Sequence, residues 1–228
     1  MINIGVIGVG KIAKNSLIPA IQYSTGACFW SVLSRDLEKA QRITKEFSAE
    51  SSKPAFDELE AFLSDPELDA VIVASPDKLH AHHSLAAIDK GKHVLVEKPM
   101  ATSTTEADMM LKAAHRAGVK LAVAYHMRWH AGHRKLSRQV WSGAYGELQT
   151  VRAQWTFNAP DSSNWRAHNE LGRWWSLAGV GTHCLDWILW MMRPVCGEVE
   201  DIQSVVSRTD VTSTHDTSAA VHLRFQSR

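Results

Sequence analysis

Ile2-Asn3-Ile4-Gly5-Val6-Ile7-Gly8-Val9-Gly10-Lys11-Ile12-Ala13 decides how the rest of the chain reads. An apolar run of strand length meets glycines at 8 and 10, and a helical period takes over directly afterwards. Strand, Gly-x-Gly-x-x-Ala, then helix predicts a tight turn at Gly8 and a bare backbone at Gly10, where a pyrophosphate can approach a helix N-terminus. A glycine pair after a strand also serves plain turn chemistry. What favours a dinucleotide is the pair's place at the first strand-to-helix junction of an alternating pattern. Gly8, Gly10, Lys11 and Ile12 are the candidate cofactor-binding residues of this turn.

The alternation continues outward to about residue 125. Short Val- and Ile-rich runs predict strands at Ile2–Ile7, Ala27–Leu33, Ala70–Ala74, His93–Val96 and Leu121–Ala124. Segments of helical period lie between them at Ile12–Tyr23, Leu37–Phe47, Leu59–Leu63, Leu79–Lys90 and Thr104–Ala117. Ser103 with Glu106 reads as a capping box for the last of these, and Gly118 as its stop. Residues 1–125 therefore read as an α/β domain whose right-handed crossovers cover both faces of a parallel sheet.

After His126 the rhythm changes. A helix is expected near Arg134–Ser142, a long strand at Leu148–Phe157, a polar loop at Asn158–Glu170, a helix from about Thr182 to Met192, and strands at Asp201–Val206 and Ala219–Phe225. Residues 126–228 thus read as an α+β domain with a shortened sheet. No Gly/Ser linker separates the halves, so they are expected to pack rather than swing.

Among 228 residues, 45% are hydrophobic and 21% charged, with a formal net charge of +1. These values describe a globular chain with no field to gather phosphate backbones, which argues against nucleic acid and anionic membrane as partners. The Trp-rich run Leu185–Met192 is interrupted by Asp186, and nothing approaches a membrane span. Met1 enters a strand pattern without a basic leader, and Cys28, Cys184 and Cys196 form no CxxC, which points to a reducing, cytoplasmic setting.

Strand ends carry the remaining chemistry, because ligands of such sheets sit beyond the carboxyl ends of the strands. The second strand ends Leu33-Ser34-Arg35, with no carboxylate for a ribose 2′-OH. Ser34 can hydrogen-bond a 2′-phosphate and Arg35 can pair with it, so NADP is favoured and NAD remains open. A solvated arginine ahead of a helix capped by Asp36 is the plainer account of Arg35. Ala74-Ser75-Pro76 and Glu97-Lys98-Pro99 follow two further strands, and a partly desolvated Lys98 can exchange a proton with a substrate hydroxyl. His126, His130 and His133 share a helical spacing, but no HExxH or added carboxylate completes a set, and no metal is expected. His82 and His83 read as partly solvated surface.

These residues resemble the glucose-fructose oxidoreductase, inositol dehydrogenase and rhizopine-catabolism group, the Gfo/Idh/MocA family. The resemblance rests on Gly8 to Ala13; Ala74-Ser75-Pro76 with His80; Gly91-Lys92-His93-Val94-Leu95-Val96-Glu97-Lys98-Pro99; Glu106 to Gly118; and Tyr125-His126-Met127-Arg128. It continues through Gly143, Gly146-Glu147-Leu148, Trp165-Arg166 and Gly181-Thr182-His183-Cys184-Leu185-Asp186. It implies a Rossmann domain followed by an open-faced sheet domain, NAD(P)-dependent oxidation or reduction of a sugar or polyol, and dimers or tetramers through the second sheet. It also implies catalytic roles for Lys98 and His183 and a cis Lys98-Pro99 peptide. Ser75, Pro76, His80, Glu97, Arg128, Trp165 and Arg166 are implied to contact cofactor or substrate.

The sequence departs from the family in places. Gly179 stands where many members have an Asp four residues before the histidine, His126 replaces an Asn, and Ala131 replaces a Pro. The chain also stops early, as a short variant or a fragment would. His183, Asp186 and Trp187 share one helical face, so Asp186 is the candidate to orient His183, with a surface pairing the plainer alternative. Trp165, Trp174, Trp175, Trp187 and Trp190 are either a sugar-stacking wall or core. Lys98, His126, Trp165, His183 and Trp187 are thus the candidate substrate contacts. The reading is a sugar or polyol oxidoreductase; its rivals are a non-catalytic NAD(P)-binding regulator or remnant, and an NAD-dependent glycosidase.

Overall fold

The computed structural model describes residues 1–157, 175–208 and 215–226, in two compact units, Met1–Ala124 and Tyr125–Arg228. In the first unit the strands are β1 Ile2–Ile7, β2 Ala27–Leu33, β3 Ala55–Phe56, β4 Ala70–Val73, β5 His93–Val96 and β6 Leu121–Val123. All pair in parallel, in the order β3-β2-β1-β4-β5-β6. The helices are α1 Ile18–Tyr23, α2 Leu37–Glu46, α3 Leu59–Leu63, α4 His80–Asp89 and α5 Thr104–Ala117.

Neighbouring residues of one strand feed opposite cores. Val6, Val32 and Ile72 join Ile18, Ile21, Ala40 and Ile43 beneath α1 and α2. Ile7, Leu33, Val71 and Val73 join Phe62, Ala87, Ile88, Met110 and Ala114 beneath α3, α4 and α5. A parallel sheet covered on both sides needs apolar residues at every strand position, which is why these strands read as continuous Val/Ile runs.

Three local details differ from expectation. The helix after Gly10 opens with a wide π-type stretch, Ala13–Leu17, ahead of Pro19, which has no N–H to continue an ordinary ladder. The two-residue β3, too short to show a period, lies against β2, where Val32 N donates to the Pro54 carbonyl at 2.8 Å. At α5 the Ser103 hydroxyl accepts from Glu106 N as expected, but the Glu106 carboxylate accepts from Thr102 N and Thr102 Oγ1. Gly118 ends α5 in the left-handed region.

In the second unit, α6 Ala131–Trp141 and α7 Thr182–Cys196 pack through Val140, Met191 and Met192, and β7 Val199–Ser207 pairs antiparallel with β8 Ser218–Phe225. The strand expected at Leu148–Phe157 does not form. Its alternation has another use: Leu148 and Val151 pack on the α6-α7 cluster, and no strand lies alongside among the described residues to supply a ladder. The loop expected at Asn158–Glu170 falls outside the described residues. Among those residues, no helix is long and apolar enough to cross a membrane.

Candidate functional site

The strand order reverses between β1 and β4, which makes their carboxyl ends the place where a sheet of this kind leaves a crevice. Gly8, one residue past β1, has φ +96°, and a Cβ there would stand 2.7 Å from the Ala74 carbonyl oxygen and 2.8 Å from Ser75 N. No side chain fits, because the backbone past β4 occupies the space. Gly10 differs: no atom lies within 4 Å of where its Cβ would stand. Lys14 N donates to the Gly10 carbonyl at 3.1 Å, so the helix starts from this open ground with Lys11 exposed and Ile12 44% exposed. First-turn N–H groups lack partners within a helix, so an open, side-chain-free helix start suits a pyrophosphate.

Past β2, the Ser34 hydroxyl accepts from Asp36 N at 3.2 Å and keeps its own hydrogen to donate. Asp36 caps α2 through Lys39 N at 2.9 Å. Arg35 is exposed and has no ion-pair partner among the described residues. This leaves a hydroxyl and a guanidinium at the position where an NAD-type site carries an acid.

The ends of β4 and β5 are tied together. Ser75 is half-buried, and Glu97 N donates to the Val73 carbonyl at 2.8 Å, extending the β4-β5 ladder by one bond. The Glu97 carboxylate accepts from Lys98 N at 3.1 Å, and the Lys98-Pro99 peptide is cis. Pro76 opens the short turn Asp77–Leu79 that leads into α4. His80, which the family resemblance implies as a cofactor or substrate contact, is 2% exposed, with Nδ1 2.6 Å from the Pro99 carbonyl oxygen and Nε2 2.9 Å from the Ser75 carbonyl oxygen. A ring engaged on both sides by main chain stands in the wall behind a ligand. His83 is a second departure. Instead of lying at the solvated surface it is half-buried, with Nδ1 2.9 Å from Ser75 Oγ, and burial beside His82 and His80 pushes it down to about 4. It is neutral at physiological pH.

In the second unit the residues gather around His183, which is 5% exposed near the start of α7. Trp155 stacks on its ring at 5.6 Å and 28°, while His126 and Tyr125 meet it edge-on at 4.8 Å and 6.1 Å. Tyr125 Oη and Thr182 Oγ1 are 3.1 Å apart, joining the start of the unit to α7. Asp186, expected to orient His183, has both oxygens on the Arg128 fork, at 2.8 Å from Nε and 2.5 Å from Nη2. Arg128 is thereby held still more firmly protonated. The pair sits partly out of water, with the Asp186 side chain 9% and the Arg128 side chain 41% exposed.

Trp187 does not stand open on the same helix face. Its ring lies 5.0 Å from His133 and packs on the Val140, Met191 and Met192 cluster, because the apolar neighbours on α6 offer it more contact than solvent does. Trp190 meets Trp141 edge-on at 5.3 Å. Trp165, Arg166 and Trp174 lie outside the described residues. The sequence alone reads His83 as surface and does not mark Tyr125 or Trp155 as site residues. His83 stands three residues after His80 on α4, a spacing that signals a shared face. Trp155 was hidden in the expected strand, and Tyr125 appeared only as the neighbour of His126.

Comparison with known proteins places these features. Residues 2–125 match the oxidoreductase family with an NAD-binding Rossmann fold, and residues 133–228 match the GFO/IDH/MocA C-terminal domain. A 1,5-anhydro-D-fructose reductase of Ensifer adhaerens is 35% identical over 163 residues, 71% of this chain and 48% of the relative. A D-xylose 1-dehydrogenase (NADP(+)) of Haloferax volcanii is 33% identical over 160 residues, 70% of this chain and 48% of the relative. A crystal structure of a 3-ketoreductase from Actinomadura kijaniata in complex with NADP superposes with a TM-score of 0.58 at 32% identity, over 64% of this chain and 45% of that one. The chain spans about half the length of these curated relatives. With both halves matched, and with the glycine turn and strand order in place, the chain belongs to the Gfo/Idh/MocA family of oxidoreductases.

Proposed function

We propose that the chain is an NAD(P)-dependent oxidoreductase that prefers NADP to NAD. It interconverts a carbinol and a carbonyl carbon of a sugar or polyol. The observation that carries this reading is the bare backbone at the β1-β4 switch point, where Gly8 admits no side chain and Gly10 faces open space. When bound, the dinucleotide supplies or takes up a hydride at its nicotinamide ring.

The chain's own residues do the rest. Gly8, Gly10 and the N–H groups at Lys11 and Ile12 hold the pyrophosphate. Ser34 and Arg35 hold the 2′-phosphate, Arg35 by a charge-assisted fork that an NAD site lacks. Ser75, Pro76 and Glu97 line the nicotinamide end. Lys98 Nζ donates to, or accepts from, the substrate oxygen, and His183 Nε2 serves as a second proton-transfer group. Asp186 acts through Arg128, fixing that guanidinium beside the turn that carries His126. Names of relatives that act on an anhydrofructose, a xylose and a scyllo-inositol support the substrate class. Self-assembly through the β7-β8 hairpin belongs to the same reading, supported by Ile202 and Val205, which are 64% and 69% exposed.

The test is a screen of aldoses, anhydrosugars and inositols with NADP and with NAD, following absorbance of the reduced nicotinamide. Turnover with a member of this panel, lost in Lys98→Met, is the expected result. Dinucleotide binding without turnover on any member would leave a binding module and refute the enzymatic reading.

A further inference from the structure

We infer that His80 is a positioning residue for Lys98: its buried ring is lodged between the carbonyls of Ser75 and Pro99, donating to one of them, and so fixes the segment on which Lys98 stands. This rests on the reading of Lys98 as the proton-transfer group of a dinucleotide site.

Three observations carry it. First, at 2% exposure His80 meets no solute, so its two ring contacts are its whole polar function. Second, those contacts bridge different strand ends. The Ser75 carbonyl follows β4 and the Pro99 carbonyl follows β5, and a rigid five-membered ring sets the span between them. Pro99 is bonded directly to Lys98, so the end of β5 is held one residue from the reacting side chain. Third, the Ser75 anchor is itself fixed. His83, one turn along α4, takes the Ser75 hydroxyl at 2.9 Å, so Ser75 is gripped at its hydroxyl and its carbonyl from one helix face. Removing the His80 ring takes away the donor to one of these carbonyls and the packing that keeps the two apart, so the segments after β4 and β5 lose their fixed spacing.

The experiment measures Lys98 directly. The chain is trace-labelled with acetic anhydride across a pH series, with and without saturating NADPH, and labelling at Lys98 is quantified by peptide mass spectrometry. Lys112, exposed on α5, serves as the internal standard. In the unaltered chain NADPH slows Lys98 labelling by about 10-fold or more, as a positioned ligand in contact should. In His80→Ala, with NADPH still at saturation, the protection falls below about 3-fold and the pH midpoint of Lys98 labelling moves. His80→Gln, which restores one amide donor, falls between the two.

Unchanged protection and midpoint in a folded His80→Ala or His80→Gln chain would overturn the inference. Should the alanine variant not fold, the glutamine variant decides. Should neither fold, the ring serves the fold as a whole and the narrower role is refuted. NADPH that binds nowhere, or leaves Lys98 of the unaltered chain unprotected, is a different failure: it refutes the underlying reading of the site.

Discussion

Substituting alanine at Gly10 and at Gly8 separates binding from folding, and the structure sets the size of each effect. At Gly10 a methyl group meets no atom within 4 Å, and the backbone is outside the left-handed region. Folding stability is therefore expected to stay within about 0.5 kcal/mol, or to rise by up to about 1 kcal/mol as the unfolded chain loses freedom. The same methyl stands where the pyrophosphate must approach. Overpacking of one methyl against a fixed group costs about 1–3 kcal/mol, which is roughly 5- to 150-fold in the NADPH dissociation constant. At Gly8 the order reverses. A left-handed φ of +96° costs about 1–2 kcal/mol for a residue with a Cβ. The clash with Ala74 and Ser75 main chain adds about 1–3 kcal/mol, so Gly8→Ala should lose roughly 2–5 kcal/mol of stability. Urea unfolding gives the first quantity, and titration of reduced-nicotinamide fluorescence gives the second. A Gly10→Ala chain that binds NADPH as tightly as the unaltered chain would refute the placement of the pyrophosphate over Gly10.

His83 gives a pH prediction. Its folded-state pKa of about 4 lies below the usual 6.5, so the unfolded state binds the extra proton first, and stability falls as pH drops from about 6.5 to about 4. At 1.36 kcal/mol per unit the shift is about 3 kcal/mol, or roughly 2 kcal/mol after allowing for partial exposure; urea midpoints should fall across that window in the unaltered chain and less in His83→Gln. Equal slopes would count against the buried, neutral ring. Asp186→Asn keeps the shape but removes the charge that Arg128 grips; with Arg128 able to reach water, a loss of about 1–2 kcal/mol is expected by thermal unfolding. Because Asp186 works through Arg128, the variant's kcat should fall without a shift in the pH-rate midpoint, and a shifted midpoint would return Asp186 to direct partnership with His183.

How legible was this in the sequence? The first unit was readable because its signals are local. A strand buried on both faces shows as an unbroken Val/Ile run, and Gly8 and Gly118 mark turns that other residues enter only with strain. What the sequence does not show there is either too short for a period, as at β3, or set by contacts distant in sequence. His80 and Pro99 are nineteen residues apart, and nothing in a helix pattern says that a histidine will turn both nitrogens to main chain. The second unit was less legible because alternation in an isolated segment does not say what it packs against. Leu148–Phe157 carries a strand's pattern, yet Leu148 and Val151 pack on helices and Trp155 lies on His183. The spacing that put Asp186 beside His183 on α7 was sound as far as it went. It took no account of Arg128, fifty-eight residues earlier, whose fork fits a carboxylate better than an imidazole does.

The measurement that bears most directly on the central claim is a paired titration of NADPH and NADH into the purified chain, read by tryptophan quenching and energy transfer to the reduced nicotinamide. The account predicts saturable binding that favours NADPH by roughly 10-fold or more, an advantage that disappears in Arg35→Ala while NADH binding is unchanged. Failure of both nucleotides to bind, or an NADPH preference that survives the loss of Arg35, would contradict it.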